Sequence, residues 1–179
     1  MKGLAMFAPM RQRGSVRVIP PIPVIDTTRT VEEQQGKEDA RFAWWVKQVG
    51  EDRARIARAI LDERTGSRTL PELLTEAWLR GQGARYITQL NLGFAKPDFV
   101  VFDAPAAPAG ALVLRVQGGY WHGSSGAITR DDSQKQMLME GTAQGAPILK
   151  IVDLWEKAIY QGTGALELAY YQGVELPQE

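Results

Sequence analysis

The stretch RVQGGYWHG, residues 115–123, contains the only histidine of the chain, His122. It follows an apolar run, residues 111–114, that is typical of a buried strand. An imidazole with an ordinary pKa of about 6.5 suits proton transfer near neutral pH. The alternative is a turn histidine that hydrogen-bonds to the backbone and does no chemistry. Its place in a glycine-rich turn directly after Trp121 favours the chemical role.

Asp98 is a candidate metal ligand because it follows Pro97 at the start of a predicted strand, although an Asp after Pro also often only closes a turn. On the next strand, Arg115 and Gln117 lie two positions apart and therefore on one face. A guanidinium repels a nearby cation, and an amide cannot shuttle a proton. These two residues count against a catalytic site.

Composition excludes several classes of site. The 179 residues include no cysteine and a single histidine, which excludes disulfides, thiolate catalysis and Cys- or His-rich zinc sites. The formal net charge of zero gives no global signal for nucleic-acid binding. No apolar run is long enough for a transmembrane helix, and the N-terminus is a poor signal peptide. We expect no membrane partner and a cytoplasmic protein or a component of a virus particle.

The chain divides into three predicted regions. Residues 1–36 form an extended, proline-punctuated arm, residues 37–66 are helical, and residues 67–179 form an α/β domain. The arm is either a disordered tail or a segment that orders against its own domain or a protein partner, and its apolar run VRVIPPIPVI favours the second. The pair Trp44 and Trp45 is expected to pack rather than to stack on bases.

The α/β region follows a helix, three strands, a helix and a strand. The helix opens at Thr69, where TLPE is typical of a capping box with Glu72 at its third position. Strands are predicted in ARYITQLNL, DFVVFDA and ALVLRVQ, then a helix over about residues 131–144, whose first acids suit the helix dipole, and a strand in PILKIVDLW. This order predicts a mixed central sheet flanked by helices.

Four segments of residues 69–157 resemble the PD-(D/E)XK restriction-endonuclease-like superfamily, and within it the very-short-patch mismatch repair endonucleases. They are TLPELLTEAWLRGQGARYITQ, KPDFVV, LVLRVQGGYWHG and RDDSQKQMLMEGTAQGAPILKIVDLWE. Most of the superfamily has an acid and a lysine where this chain has Arg115 and Gln117. The mismatch-repair relatives also lack that pair.

The resemblance implies a restriction-endonuclease-like fold and a metal-dependent DNA endonuclease. A Mg²⁺ ion would be held by Asp98 and the backbone carbonyl of about Val116, with His122 as general acid or base. The helix glutamate corresponds to Glu72, which would assist the metal's water molecules, and Asp131 is a secondary metal candidate.

Contacts with DNA are predicted around this site. Side chains placed to meet phosphates or bases are Arg80, Arg85, Lys96, Arg115, Gln117, Arg130 and Lys135. Tyr120 and Trp121 have the chemistry to stack on bases, although such a pair more often packs under a sheet.

Three functions stay open at this stage. The first is the endonuclease. The second is a catalytically inactive nuclease-fold subunit of a larger assembly, such as a phage particle, whose arm over residues 1–36 contacts neighbours. The third is a nuclease that acts on RNA or on DNA junctions, since one fold hosts many substrates.

Overall fold

The computed structural model describes residues 27–64, 67–118 and 133–176, with the backbone alone for residues 27–30. The chain divides into two units between Gly36 and Lys37. Helix α1, Thr27–Val49, begins inside the predicted extended arm, so that prediction is wrong for residues 27–36. The last proline of the arm is Pro23, and the sequence VEEQQGKEDA that follows is rich in good helix formers.

The predicted helical region forms two helices. Helix α1 ends at Val49 and helix α2 spans Glu51–Asp62, with Gly50 between them at φ 83°. A positive φ is readily accessible to glycine, and it lets the chain change direction here. None of the helices in the described part of the chain is long and apolar enough to cross a membrane.

Helix α3, Leu70–Gly81, leads into the sheet. The strands of the described residues are β1 (Arg85–Thr88), β2 (Phe99–Phe102), β3 (Ala111–Gln117), β4 (Thr142–Ala143) and β5 (Ala146–Trp155), in the spatial order β1-β2-β3-β5-β4. Strands β1, β2 and β3 are antiparallel neighbours, β3 and β5 are parallel, and β4 is antiparallel to β5. The predicted mixed central sheet with flanking helices is confirmed at this level.

The helix expected over residues 131–144 is shorter at its C-terminal end than predicted. The described part of this helix, α4, covers residues 133–139, and β4 follows it. Gln144 and Gly145 both have positive φ, which is the backbone of a tight turn between antiparallel strands. The pairing of Thr142 with Pro147 and the turn together end the helix early.

After β5 the chain continues into α5 (Glu156–Gln161), α6 (Gly164–Glu167) and a π-helical turn, Leu168–Gln172. Helices cover both faces of the sheet. Phe99, Leu112 and Leu154 belong to the larger core cluster, which they share with α2, α3 and α5. Val100 and Val113, at the alternate strand positions, belong to a second cluster with Leu138 of α4. The central strands are buried on both faces for this reason.

The two adjacent tryptophans divide between the core and the surface. Trp45 is buried in the larger core cluster. Trp44 is about half exposed and makes an edge-to-face contact with Tyr160, with the ring centroids 6.4 Å apart. Both side chains therefore pack, as the sequence predicted.

Gly110, directly before β3, provides a test of how closely β3 and β5 approach. A methyl group on Gly110 would press on the Pro147 carbonyl oxygen and lie 2.7 Å from Leu149 Cγ. We expect Gly110→Ala to lower the free energy of unfolding by about 1–3 kcal/mol, measured by urea denaturation. The matched control is Gly81→Ala, where nothing lies within 4 Å. Equal stability of the two variants would contradict this packing.

Candidate functional site

A polar pocket of about 230 Å³ lies where β2 begins and β3 ends. The two strands are antiparallel, with Phe99 opposite Leu114, so the first residues of β2 meet the last residues of β3. The pocket is lined by Ala95, Lys96, Pro97, Asp98, Arg115, Val116, Gln117, Gln134 and Leu138. Lys96, Asp98, Arg115, Val116 and Gln117 were all predicted as site residues and do lie together.

Asp98 is a braced carboxylate rather than the cap of a local turn. Its Oδ2 accepts a 2.7 Å hydrogen bond from the backbone N–H of Val116, and its Oδ1 accepts a 2.9 Å bond from Gln89 Nε2. The backbone N–H of Gln89 also donates to the Asp98 carbonyl. Burial raises the pKa of Asp98, against the hydrogen bonds from Val116 and Gln89 and the charges of Arg68 and Arg115. Gln89 was not predicted, because its contact depends on the pairing of β1 with β2.

Glu72 is outside the lining of the pocket. Thr69 is the N-cap of α3, as predicted, but its side chain makes no capping hydrogen bond, so the predicted capping box is wrong. The Glu72 carboxylate pairs instead with Arg68 across 3.5 Å. Burial, and next the negative charge of Asp98, raise the pKa of Glu72, so the two acids sense each other.

Arg115 forms a buried ion pair that the sequence did not predict. Its Nε and Nη2 donate to the two carboxylate oxygens of Asp153 at 2.6 and 2.7 Å, and only 8% and 5% of the two side chains are exposed. Residues 115 and 153 are in register on the parallel strands β3 and β5, so their side chains meet on one face. Arg115 therefore pairs with Asp153 and not with Asp98. The signal for Asp153 was an acid inside the apolar strand ILKIVDLW.

Asp153 also contacts Lys135, Gln117 and Glu175. Lys135 Nζ of α4 lies 2.6 Å from Asp153 Oδ2, and Gln117 Nε2 donates to Oδ1 at 3.3 Å. The backbone N–H of Asp153 donates to Glu175 Oε1 at 3.1 Å. Burial lowers the pKa of Lys135, but the hydrogen bond and charge of Asp153 outweigh burial and raise it overall. The buried Asp153 carboxylate thus bonds three side chains that were predicted to contact phosphates, Arg115, Gln117 and Lys135.

Two basic residues that were predicted near the site are elsewhere. Arg80 bonds Glu63, Glu76 and Tyr86, and Arg85 pairs with Asp103 at the opposite end of β2 from Asp98. Neither side chain lines the pocket, and their contact with phosphates stays a prediction. The remaining predicted residues lie outside the described residues: Tyr120, Trp121, His122, Arg130 and Asp131.

The lining of the pocket contains one carboxylate, Asp98, beside the cations Lys96 and Arg115. Within residues 27–64, 67–118 and 133–176, no group of three or more His, Cys, Asp or Glu side chains is arranged to hold a metal ion. Magnesium, however, is usually held by one or two carboxylates and keeps several water molecules. Asp98 is therefore the candidate ligand at the pocket, and Glu72 is near enough for the two carboxylate charges to interact.

The variant Asp98→Asn tests whether the charged Asp98 carboxylate lowers the stability of the folded protein. Because the folded pKa is raised, the folded protein holds more protons than the unfolded chain between the two pKa values, and wild-type stability falls as pH rises through that interval. Asparagine does not titrate, so the variant does not lose stability in this way. It also retains hydrogen-bonding groups for Val116 and Gln89. We expect the Tm of Asp98→Asn minus that of the wild type to increase from about pH 3.5 to about pH 8. A difference that stays flat or decreases would refute this.

The Arg115–Asp153 pair is testable by comparing a single variant with a double variant. Asp153→Ala removes the buried carboxylate that Arg115 and Lys135 both bond, and should cost about 3–5 kcal/mol in urea denaturation. The double variant Arg115→Met/Asp153→Leu should recover most of that loss, because no buried charge remains unpaired. The control is Asp103→Asn, which removes the charge from an exposed ion pair with Arg85, keeps a residue type that tolerates the φ of 54° there, and should cost about 1 kcal/mol or less. Similar losses at Asp153 and Asp103 would contradict this interpretation.

No protein-family model, curated protein or solved structure matches the chain. The geometry of the described residues is therefore what supports a function.

Proposed function

We propose that this protein is a metal-dependent DNA endonuclease of the very-short-patch-repair type, with the Asp98 pocket as its active site. One observation carries the proposal: Asp98, braced by Val116 and Gln89, lines the same pocket as Lys96 and Arg115. Phosphodiester hydrolysis needs a fixed carboxylate for a cation next to basic groups for the phosphates, and this pocket combines the two.

Asp98 and the backbone carbonyl of Val116 would hold one Mg²⁺ ion, with Asp131 as a secondary ligand, and Glu72 would act on the water molecules around the ion. When bound, the ion polarises the phosphate and eases deprotonation of the attacking water. The hydrogen bonds from Val116 and Gln89 to Asp98 matter here, because a carboxylate that is already oriented loses little side-chain entropy when it binds a cation. Val116, which orients Asp98 through its N–H, also lines the pocket itself.

His122 would move the proton in this reaction. In the sequence it follows Gln117, the last residue of β3, by a short interval. An ordinary histidine pKa lies close to the pH at which a proton donor and acceptor must interchange.

Lys96, Arg115, Lys135 and Arg130 would bind DNA phosphates, with Gln117 as a neutral donor and with Tyr120 and Trp121 stacking on bases. Asp153 holds Arg115 and Lys135 in place, since it bonds both side chains. The binding would be local, given the zero net charge of the chain, and sensitive to salt.

A second function, a nuclease-fold binding subunit without catalysis, is favoured by one specific observation. Arg115 is held in a buried ion pair at the position where most of the superfamily has an acid. A fixed guanidinium beside Asp98 weakens the attraction of the pocket for a cation. In this case residues 1–36 would contact a protein partner in a larger assembly.

Nicking of supercoiled plasmid in Mg²⁺ or Mn²⁺, with and without mismatches, tests the endonuclease. Asp98→Asn should reduce nicking to background, because the amide no longer attracts a cation. His122→Ala should lower the rate by about 100-fold or more. The matched control is Asp103→Asn, the same change at the other end of β2, where the side chain is mostly exposed and pairs with Arg85. It should leave nicking unchanged.

Two outcomes would count against the endonuclease. The first is nicking by the wild type, purified alongside Asp98→Asn, that does not exceed nicking by that variant in any metal or substrate. The second is an equal loss of activity in Asp98→Asn and Asp103→Asn. DNA retention in a gel-shift assay without any nicking would support the binding subunit instead.

A further inference from the structure

Gln89 bonds the carboxylate of the pocket without lining the pocket itself. Thr88 pairs with Phe99 at the end of β1, and one position further the Gln89 N–H donates to the Asp98 carbonyl at 3.0 Å. The Gln89 side chain then donates to Asp98 Oδ1 at 2.9 Å. An ionised carboxylate only accepts hydrogen bonds, so the amide nitrogen of Gln89 is the donor.

The two oxygens of the Asp98 carboxylate are bonded from the two strands that flank β2 in the sheet. Gln89, directly after β1, bonds Oδ1, and the Val116 N–H of β3 bonds Oδ2 at 2.7 Å. A carboxylate that is bonded through both oxygens cannot rotate without losing one of the bonds. The orientation of Asp98 toward the pocket therefore depends on Gln89 as well as on Val116.

The backbone of Gln89 lies in the left-handed region, with φ 54°. This conformation is costly for a residue with a Cβ atom, whereas glycine adopts it readily. A two-residue hairpin turn requires positive φ, but residues 90–97 form a longer connection between Gln89 and Asp98. Strain of this kind persists only where the surrounding interactions outweigh it, and at Gln89 these are the two hydrogen bonds to Asp98.

We infer that Gln89 is a positioning residue, kept in a strained backbone conformation because its amide fixes the orientation of the Asp98 carboxylate. Glycine at this position would relieve the strain but would leave Asp98 Oδ1 without this donor. The inference rests on the proposed function, because it takes Asp98 as the acting carboxylate of the pocket.

Glycine and alanine substitutions at Gln89 and Gln144 separate the strain from the amide. Gln144 is the matched control, because it is exposed on the turn between β4 and β5 and has nearly the same φ, 50°. Both substitutions remove the amide, and only glycine removes the strain. The Tm of the full chain should be about 2–6 °C higher for Gln89→Gly than for Gln89→Ala, with a similar difference at Gln144. Equal Tm values for the two Gln89 variants would overturn the strain at this position.

Hydrogen exchange of the Val116 N–H, followed by nuclear magnetic resonance, tests the positioning without any substrate. Without the bond to Oδ1, the carboxylate can rotate away from Val116, so this N–H should exchange about tenfold faster in Gln89→Gly than in the wild type. The Val113 N–H, in the middle of β3, should exchange at the wild-type rate, and so should Val116 in Gln144→Gly. Unchanged exchange of Val116 in Gln89→Gly would overturn the inference.

Gln89→Asn is the second variant if Gln89→Gly does not fold. Asparagine tolerates positive φ better than other residues with a Cβ atom, but its amide is one methylene further from Asp98. Val116 should again exchange about tenfold faster than in the wild type, and wild-type exchange would overturn the inference.

The plasmid assay distinguishes the two proposals. Nicking that is about tenfold slower in Gln89→Gly and unchanged in Gln144→Gly would support both. Faster Val116 exchange in a chain that never nicks DNA would support the positioning of Asp98 by Gln89 and reject the endonuclease. Nicking by Gln89→Gly at the wild-type rate would retain the endonuclease and reject the role of Gln89.

Discussion

The ion pair between Arg115 and Asp153 is the interaction on which the arrangement of the pocket depends. It joins the parallel strands β3 and β5 in the middle of the sheet, with both side chains almost fully buried. Two charges removed from water are tolerated only when each has the other, so a register shift that separated them would be severely penalised. A shift by one residue would also turn the side chains of one strand to the opposite face. Lys135 of α4 and Glu175 then attach to the same aspartate, which places the helix and the last described segment relative to the sheet.

The long elements of the fold were predictable, and the short ones were not. Strands β2, β3 and β5 are apolar and β-branched, and prolines or glycines bound them, so local composition is enough to identify them. Strand β4 has no such signal, since Thr142 and Ala143 are a strand only because they pair with β5. The start of α1 was missed because prolines dominate the segment before it, although the helix formers begin soon after Pro23.

The candidate site was predictable as a set of neighbours but not as a set of bonds. Asp98 and residues 115–117 had to lie together once β2 and β3 were antiparallel. The partners of these residues are set by tertiary pairing: Asp153 is 38 positions from Arg115, and Gln89 meets Asp98 across a hairpin. Glu72 illustrates the same limit, since its local motif predicted a capping box while burial beside Arg68 and Asp98 gave the carboxylate other partners.

The bond between the Asp153 N–H and Glu175 also bears on the order in which the protein folds. Glu175 is separated from Asp153 by α5, α6 and the π-helical turn, while Arg115 reaches Asp153 from β3 across 38 positions of sequence. The residues around the pocket are thus drawn from distant parts of the chain, and each long loop must close before its contact is gained. High sequence separation of this kind slows folding, so the surroundings of the pocket are completed late, after the local helices have formed. A chain in the course of synthesis would carry formed helices well before it carried a finished pocket.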